Sequence, residues 1–274
     1  MMLETGQVGI SRRGGERCAF TMIEIVVTIG VLALLLGILL PGISGAREQG
    51  KGTMCRAQLS ELLRANTYYA MEQGDRYCPG AADFQQNLHR WHGSRMKAGL
   101  PFGGQGGPLS PYLGAENRMR QCPTFPIDEA MQSKHAFERG AGGYGYNGVY
   151  IGAATMRQGL DAVTILDDRM GARRSDVRRP ADTLMFADAA LAAPGLIEYS
   201  FAEPRFQPID PTRRPDPSIH FRHARRANVG WCDGHVDQRP RTFTWSSGVY
   251  GKNADRMNIG WFGESDDNVY FDLQ

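Results

Sequence analysis

The most constraining feature of this chain is the run from Phe20 to Leu40, 21 residues in which Glu24 is the only charge. As an α-helix it is about 31 Å long, the thickness of a bilayer's hydrocarbon core. Arg12, Arg13 and Arg17 precede it. Positive charge on that flank holds it in the cytoplasm and sends the remainder of the chain to the other side. The rest of the sequence is unlike a membrane protein. Of 274 residues 22% are charged, with 31 Lys+Arg against 29 Asp+Glu, which excludes a polytopic membrane protein. A net charge of +2 excludes strong polyanion binding through bulk charge. The 34 glycines and 15 prolines predict a loop-rich body.

Three segments of known type share such a run. A secretory signal has a shorter apolar region, 7–15 residues, followed by a small-residue cleavage site. The sequence after this run, Pro41-Gly42-Ile43-Ser44-Gly45-Ala46, is only a fair match. A plain anchor leaves Glu24 unexplained, because a carboxylate within a span is costly and has a partner. The third type accounts for it. Ala19-Phe20-Thr21-Met22-Ile23-Glu24, after the arginines and before the apolar run, resembles the prepilin signal of type IV pilins and type II secretion pseudopilins. The resemblance implies that prepilin peptidase cleaves Ala19–Phe20 on the cytoplasmic side and methylates Phe20. It also implies that Glu24 pairs with the terminal amine of a neighbouring subunit. The family usually has glycine where this chain has Ala19.

Pro41-Gly42 predicts a kink in the helix rather than its end. Beyond it Cys55, Leu59, Leu62, Leu63, Asn66, Tyr69 and Ala70 recur at helical spacing and form one mostly apolar stripe, and Gly74 is a stop signal. The expectation is a leader over 1–19, one long helix over roughly 21–73 within a segment 20–73, and an extracytoplasmic body over 74–274. In the body, 162–166, 183–186 and 228–232 read as strands. Asp233-Gly234 reads as a two-residue hairpin turn pairing Trp231 with Val236 and Cys232 with His235, so that Val229, Trp231 and Val236 share the core face. The class is α+β: a long helix, transmembrane then amphipathic, packed on an antiparallel sheet, pilin-like in arrangement.

A second resemblance lies near the C-terminus. His223, nine residues, then Asp233-Gly234 is similar to the H-x9-DG element of a large group of prepilin-type proteins. Cys122-Pro123, Tyr144-Gly145-Tyr146-Asn147 and Arg179-Pro180 leading to Thr183–Asp188 are landmarks of the same group. The resemblance implies assembly in a secretion or pilus-like machine far more than any chemistry at His223.

His223, Asp233 and His235, with His220 and Asp237 close by, are the densest metal-capable group, suited to zinc or another divalent ion. Turn geometry and a solvated strand face explain the same residues without a metal. The acidic stretch 264–268 offers oxygens that suit calcium but lacks EF-hand spacing. Gly-x-Ser-x-Gly, His-Glu-x-x-His and Walker motifs are absent from the sequence, so no enzyme and no cofactor are expected. The arginines at 169–179 and 213–226 are interspersed with aspartates and predict a salt-bridged surface rather than a nucleic-acid interface. The expected partners are prepilin peptidase, the membrane and other pilin-like subunits. The alternatives are an anchored module that binds a metal or a glycan without polymerising, and an anchored metal-dependent hydrolase. Removing the leader removes Cys18 and leaves Cys55, Cys78, Cys122 and Cys232 as disulfide candidates, with three connectivities open. The family-like setting of Cys55 and Cys122 favours that pair.

Overall fold

The computed structural model describes residues 20–83, 86–104, 106–114, 119–126, 138–158, 162–249 and 253–274. The leader, with Ala19, lies outside the described residues. Two compact units divide at 47/48, and residues 48–73 belong with the body.

Helix α1 spans Met22–Glu72. Its start is fixed by a reciprocal cap. Glu24 Oε2 accepts hydrogen bonds from the Thr21 N–H and the Thr21 hydroxyl, both at 2.8 Å, and Thr21 Oγ1 accepts from the Glu24 N–H at 3.3 Å. This Thr-x-x-Glu arrangement satisfies helix N-terminal donors that have no partner of their own. The helix continues through Pro41-Gly42. Its end is a left-handed cap: Gly74 has φ +65°, and the Asp75 N–H reaches back to the Ala70 carbonyl at 2.9 Å. In the first unit, α1 is long and apolar enough to cross a membrane, and its most apolar window buries nothing. In the second unit, Cys55, Leu59, Leu62, Leu63, Asn66 and Ala70 are buried and Tyr69 is half-buried. Arg64 and Glu61 face out.

Among the described residues twelve short strands follow: β1 (His89–Arg90), β2 (Gly93–Ser94), β3 (Tyr144–Tyr146), β4 (Ala154–Gln158), β5 (Ala162–Asp167), β6 (Leu184–Asp188), β7 (Leu191–Ala192), β8 (Leu196–Ile197), β9 (Ile219–His220), β10 (Arg226–Trp231), β11 (Val236–Pro240) and β12 (Ile259–Gly260). The central sheet is antiparallel in the order β11-β10-β6-β3, and the remaining strands form two-stranded pairs. The fold is therefore α+β, with antiparallel sheets and one long N-terminal helix.

One face of the central sheet carries the helix. Tyr144, Tyr146, Met185 and Phe186 share a core with Leu59, Leu62 and Leu63. The contact is polar as well as apolar. The Tyr144 hydroxyl donates to Gln58 Oε1 at 2.7 Å, and Asn66 donates to the Tyr146 hydroxyl at 3.0 Å while accepting the Cys78 N–H at 2.9 Å. Buried polar groups of this kind fix one register of helix on sheet, because a slipped register strands them. At Gly230 the helix and the sheet approach closely: a Cβ there would meet Leu63 Cδ1 at 3.0 Å. The opposite face packs Leu184, Ala227, Val229 and Trp231 on a second core with Ile219, Phe221, Trp261 and Phe271.

The β10–β11 register differs from the two-residue turn expected. Gly230 lies opposite Val236, and the Trp231 N–H bonds the His235 carbonyl at 3.0 Å. The connection is a three-residue loop, Cys232-Asp233-Gly234, with Gly234 at φ +98°, the left-handed residue that closes such loops. One extra loop residue moves the side chains after it to the other face. Trp231 therefore shares its face with His235 and Asp237, stacking on the first at 5.7 Å and donating to the second at 2.9 Å. Val236 packs toward the helix-side core instead.

Candidate functional site

A buried polar centre of the body lies at the far end of β10 from the Asp233-Gly234 turn. Asp188 ends β6 as a fully buried carboxylate. Its Oδ1 accepts Arg222 Nη2 at 2.7 Å, and its Oδ2 accepts the Asn228 N–H at 2.7 Å and faces His223 Nε2 at 3.3 Å. Burial pushes the Asp188 carboxyl up, but the Arg222 charge, the His223 contact and the Asn228 N–H outweigh it and hold it below the usual carboxylate range.

Arg222 is equally committed. Besides Asp188 it donates to the Gly143 carbonyl at 2.7 Å, approaches Cys122 Sγ at 3.3 Å through Nε, and lies over the Phe125 ring at 5.4 Å. His223 Nε2 stands 3.7 Å from the same sulfur. Cys122 forms a disulfide with Cys55 of α1, Cα–Cα 5.4 Å, and both are buried. Among the described cysteines Cys78 and Cys232 are free thiols, and burial pushes both far up. His220, at the end of β9, accepts Arg222 Nη1 through Nδ1 at 3.4 Å. Burial, with the Arg222 charge, pushes it down to about 3.

His223 is aimed into this centre by a tight turn. His223 and Arg226 bridge each other, and the two residues between them, Ala224 (φ +50°) and Arg225 (φ +64°), are both left-handed. That backbone suits Asn-Gly and is unfavourable for Ala-Arg, so the surrounding contacts impose it.

The nine-residue spacing is thus one turn plus one strand. A six-residue strand at about 3.3 Å per residue puts roughly 17 Å between its ends. His223, Asp233 and His235 therefore do not form one metal-ligand set. Asp233 instead accepts the His235 N–H at 3.0 Å and contacts His235 Nδ1 at 2.6 Å, and its own N–H docks on the Pro180 carbonyl at 3.0 Å. Gly234 supplies the positive φ. Among the described residues, the three metal-capable side chains whose ligand atoms lie within 4.8 Å of one another are Cys55, Cys122 and His223.

The acidic stretch is also occupied. Asp266 is held by Arg214 at 2.8 Å and Arg205 at 3.3 Å, which keep its carboxyl below the usual range, and Asp267 accepts the Val269 N–H at 3.0 Å. Two open clefts, of about 650 and 850 Å³, lie elsewhere, and neither is lined by Asp188, Arg222, His223 or the disulfide. What the centre can do is join: it ties α1, the 122–125 loop, β6 and the start of β10 in one contact. Asp188 and Arg222, its two most connected members, were visible in the sequence only as a family landmark and as one of many arginines. Against known proteins, the chain matches no family model, no curated protein and no solved structure.

Proposed function

We propose that this chain is a pseudopilin-like structural subunit of a type II secretion or type IV pilus-like assembly. Prepilin peptidase cuts between Ala19 and Phe20, the apolar half of α1 anchors the protein in the inner membrane, and the body stands outside the cytoplasm. The observation that carries this reading is α1 itself. From Phe20 to Leu40 its large apolar side chains are exposed, among them Ile25 at 48% and Leu34 at 67%, yet the same helix continues into residues that build the core of the body. Burial of each such side chain is worth about 1.5–3 kcal/mol. A surface of this size requires lipid or other helices around it.

The body supports a structural role rather than a catalytic one. The centre at Asp188, Arg222 and His223 is closed to solvent and spends its groups on one another. The hydrolase alternative rested on His223, Asp233 and His235 acting together, and these stand at opposite ends of a strand. Arg205, Arg214, Arg222 and Arg241 are engaged by aspartates and Arg179 by backbone carbonyls, which favours protein or lipid partners over nucleic acid.

The test is mass spectrometry of the N-terminus of the mature protein. A chain that starts at methylated Phe20 supports the reading, and one that retains Met1 overturns it. Glu24 needs a paired experiment, because its carboxylate also caps its own helix. Glu24→Gln keeps an acceptor for Thr21 but loses the charge, whereas Glu24→Ala loses both. Pairing with a neighbour's amine predicts that both variants insert in the membrane and both fail to assemble. Normal assembly of Glu24→Gln would reduce Glu24 to a cap.

A further inference from the structure

We infer that Cys55, Cys122 and His223 form a zinc site when the two cysteines are thiols, so that the disulfide and the metal are alternative occupants of one position. The inference stands on the side-chain cluster and not on the proposed assembly role.

The geometry fits a tetrahedral ion. With Zn–N near 2.0 Å and Zn–S near 2.3 Å, adjacent nitrogen and sulfur ligands stand about 3.5 Å apart. His223 Nε2 is 3.7 Å from Cys122 Sγ. Cys55 Sγ belongs to the same group, with all three ligand atoms inside 4.8 Å. Two thiolates on one zinc are separated by more than a sulfur–sulfur bond, so the two occupancies exclude each other.

Charge also favours the ion. Zn²⁺ and the Arg222 guanidinium bring three positive charges. Two thiolates and Asp188, whose Oδ2 lies 3.3 Å from the same His223 nitrogen, bring three negative ones. The loaded centre is neutral, which removes the main penalty for burying an ion. Arg222 is 3.3 Å from Cys122 Sγ and favours its thiolate.

Metal loading releases two thiol protons to solvent. Oxidation by a small-molecule disulfide takes two electrons from the thiolates, forms the Cys55–Cys122 bond and sends Zn²⁺ to solvent. The small molecule leaves as two thiols, having taken up two protons. Three ligands and one open position also describe catalytic zinc, but the burial of all three here points to a metal that holds α1 to the sheet before the disulfide forms.

The experiment uses the full-length chain in detergent micelles, prepared oxidised and phosphine-reduced, with Co²⁺ as the spectroscopic probe and Zn²⁺ as competitor. The reduced chain should bind one Co²⁺ with a thiolate-to-cobalt charge-transfer band that Zn²⁺ abolishes, and the oxidised chain should show no band. Replacing Cys78 and Cys232 together by serine should leave the band unchanged. His223→Gln should weaken cobalt binding about tenfold or more, with Trp fluorescence as the check on folding. The oxidised-versus-reduced comparison on the unaltered chain decides the matter even if that variant does not fold. A reduced, folded chain without the band overturns the inference. So does a band that needs Cys78 or Cys232, a folded His223→Gln chain with unchanged affinity, or a reduced chain that is unfolded with and without Zn²⁺.

Discussion

The body should lose stability on mild acidification, and two buried histidines set the amount. His92 is fully buried, with Nε2 on the Ser200 hydroxyl at 2.9 Å, and His220 is held against Arg222. Burial, aided by Arg90 for the first and Arg222 for the second, pushes each from 6.5 down to about 3. In the folded state both are therefore neutral throughout the range from pH 7 to pH 5. In the unfolded chain each takes a proton as the pH falls through about 6.5, so the unfolded state binds more protons and stability is lost from there downward. At pH 5 the cost is about 2 kcal/mol for each histidine, about 4 kcal/mol for the pair. Asp188 and its lowered carboxyl contribute stability that is lost only below the carboxylate range, outside this window. Glu203 is raised by burial and works in the opposite sense, gaining stability as the pH falls. Comparison with a His92→Gln/His220→Asn double variant cancels both carboxyl contributions. The assay is urea unfolding of the full chain in micelles at pH 7 and pH 5, followed by the fluorescence of the buried Trp91, Trp231 and Trp261. The unaltered chain should lose about 4 kcal/mol more than the double variant between the two pH values. Equal losses, within about 1 kcal/mol, would show that the histidines are protonated in the fold or solvated there, and would refute the argument.

Reducing the Cys55–Cys122 disulfide in metal-free buffer opens a loop of sequence separation 67, and chain entropy predicts a loss of about 4 kcal/mol, readable as a lower urea midpoint. Asp188→Ala leaves Arg222 buried without its carboxylate and should cost about 3–5 kcal/mol in the same assay. Gly230→Val drives a branched side chain into Leu63, 3.0 Å from where its Cβ would sit, and should cost about 1–3 kcal/mol. A Gly230→Val chain as stable as the parent would mean that the helix can lift off the sheet at no cost.

Much of the frame was legible because it depends on periodicity and length. The 3.6-residue recurrence from Cys55 to Ala70 marks the buried stripe of α1, and Gly74 marks its end. The cap at the other end is equally legible in the spacing Thr21-x-x-Glu24. The β10–β11 register was not legible to one residue, since Asp-Gly closes two-residue and three-residue loops alike and only the docking of Cys232 and Asp233 on Thr183 and Pro180 selects the longer one. The turn before β10 carried no signal at all: Ala224 and Arg225 are poor left-handed residues, held there by the contacts of their neighbours. The candidate centre was least legible. Asp188 ends an apolar run, and a buried carboxylate is marked only by partners that lie far along the chain, at Arg222, His223 and Asn228.

Those partners give the H-x9-DG pattern a physical meaning. Strand β10 is fastened at both ends. At its start His223 reaches Asp188 and the disulfide, and through Cys55 the helix. At its end Asp233 and Cys232 hydrogen-bond to the 180–183 segment that leads into β6. Both fastenings bind β10 to β6, one at each end of that strand, so the number of residues between them must match the length of the pair. A spacing of nine is what a two-residue turn, a six-residue strand and the first residue of the closing loop require. The strand so clamped is the one whose Gly230 receives Leu63 of the helix. The pattern therefore secures the seat of a helix whose other half is long and apolar enough to cross a membrane. A seat of that kind holds the 48–72 part of the helix to its sheet, and it needs no catalysis by His223.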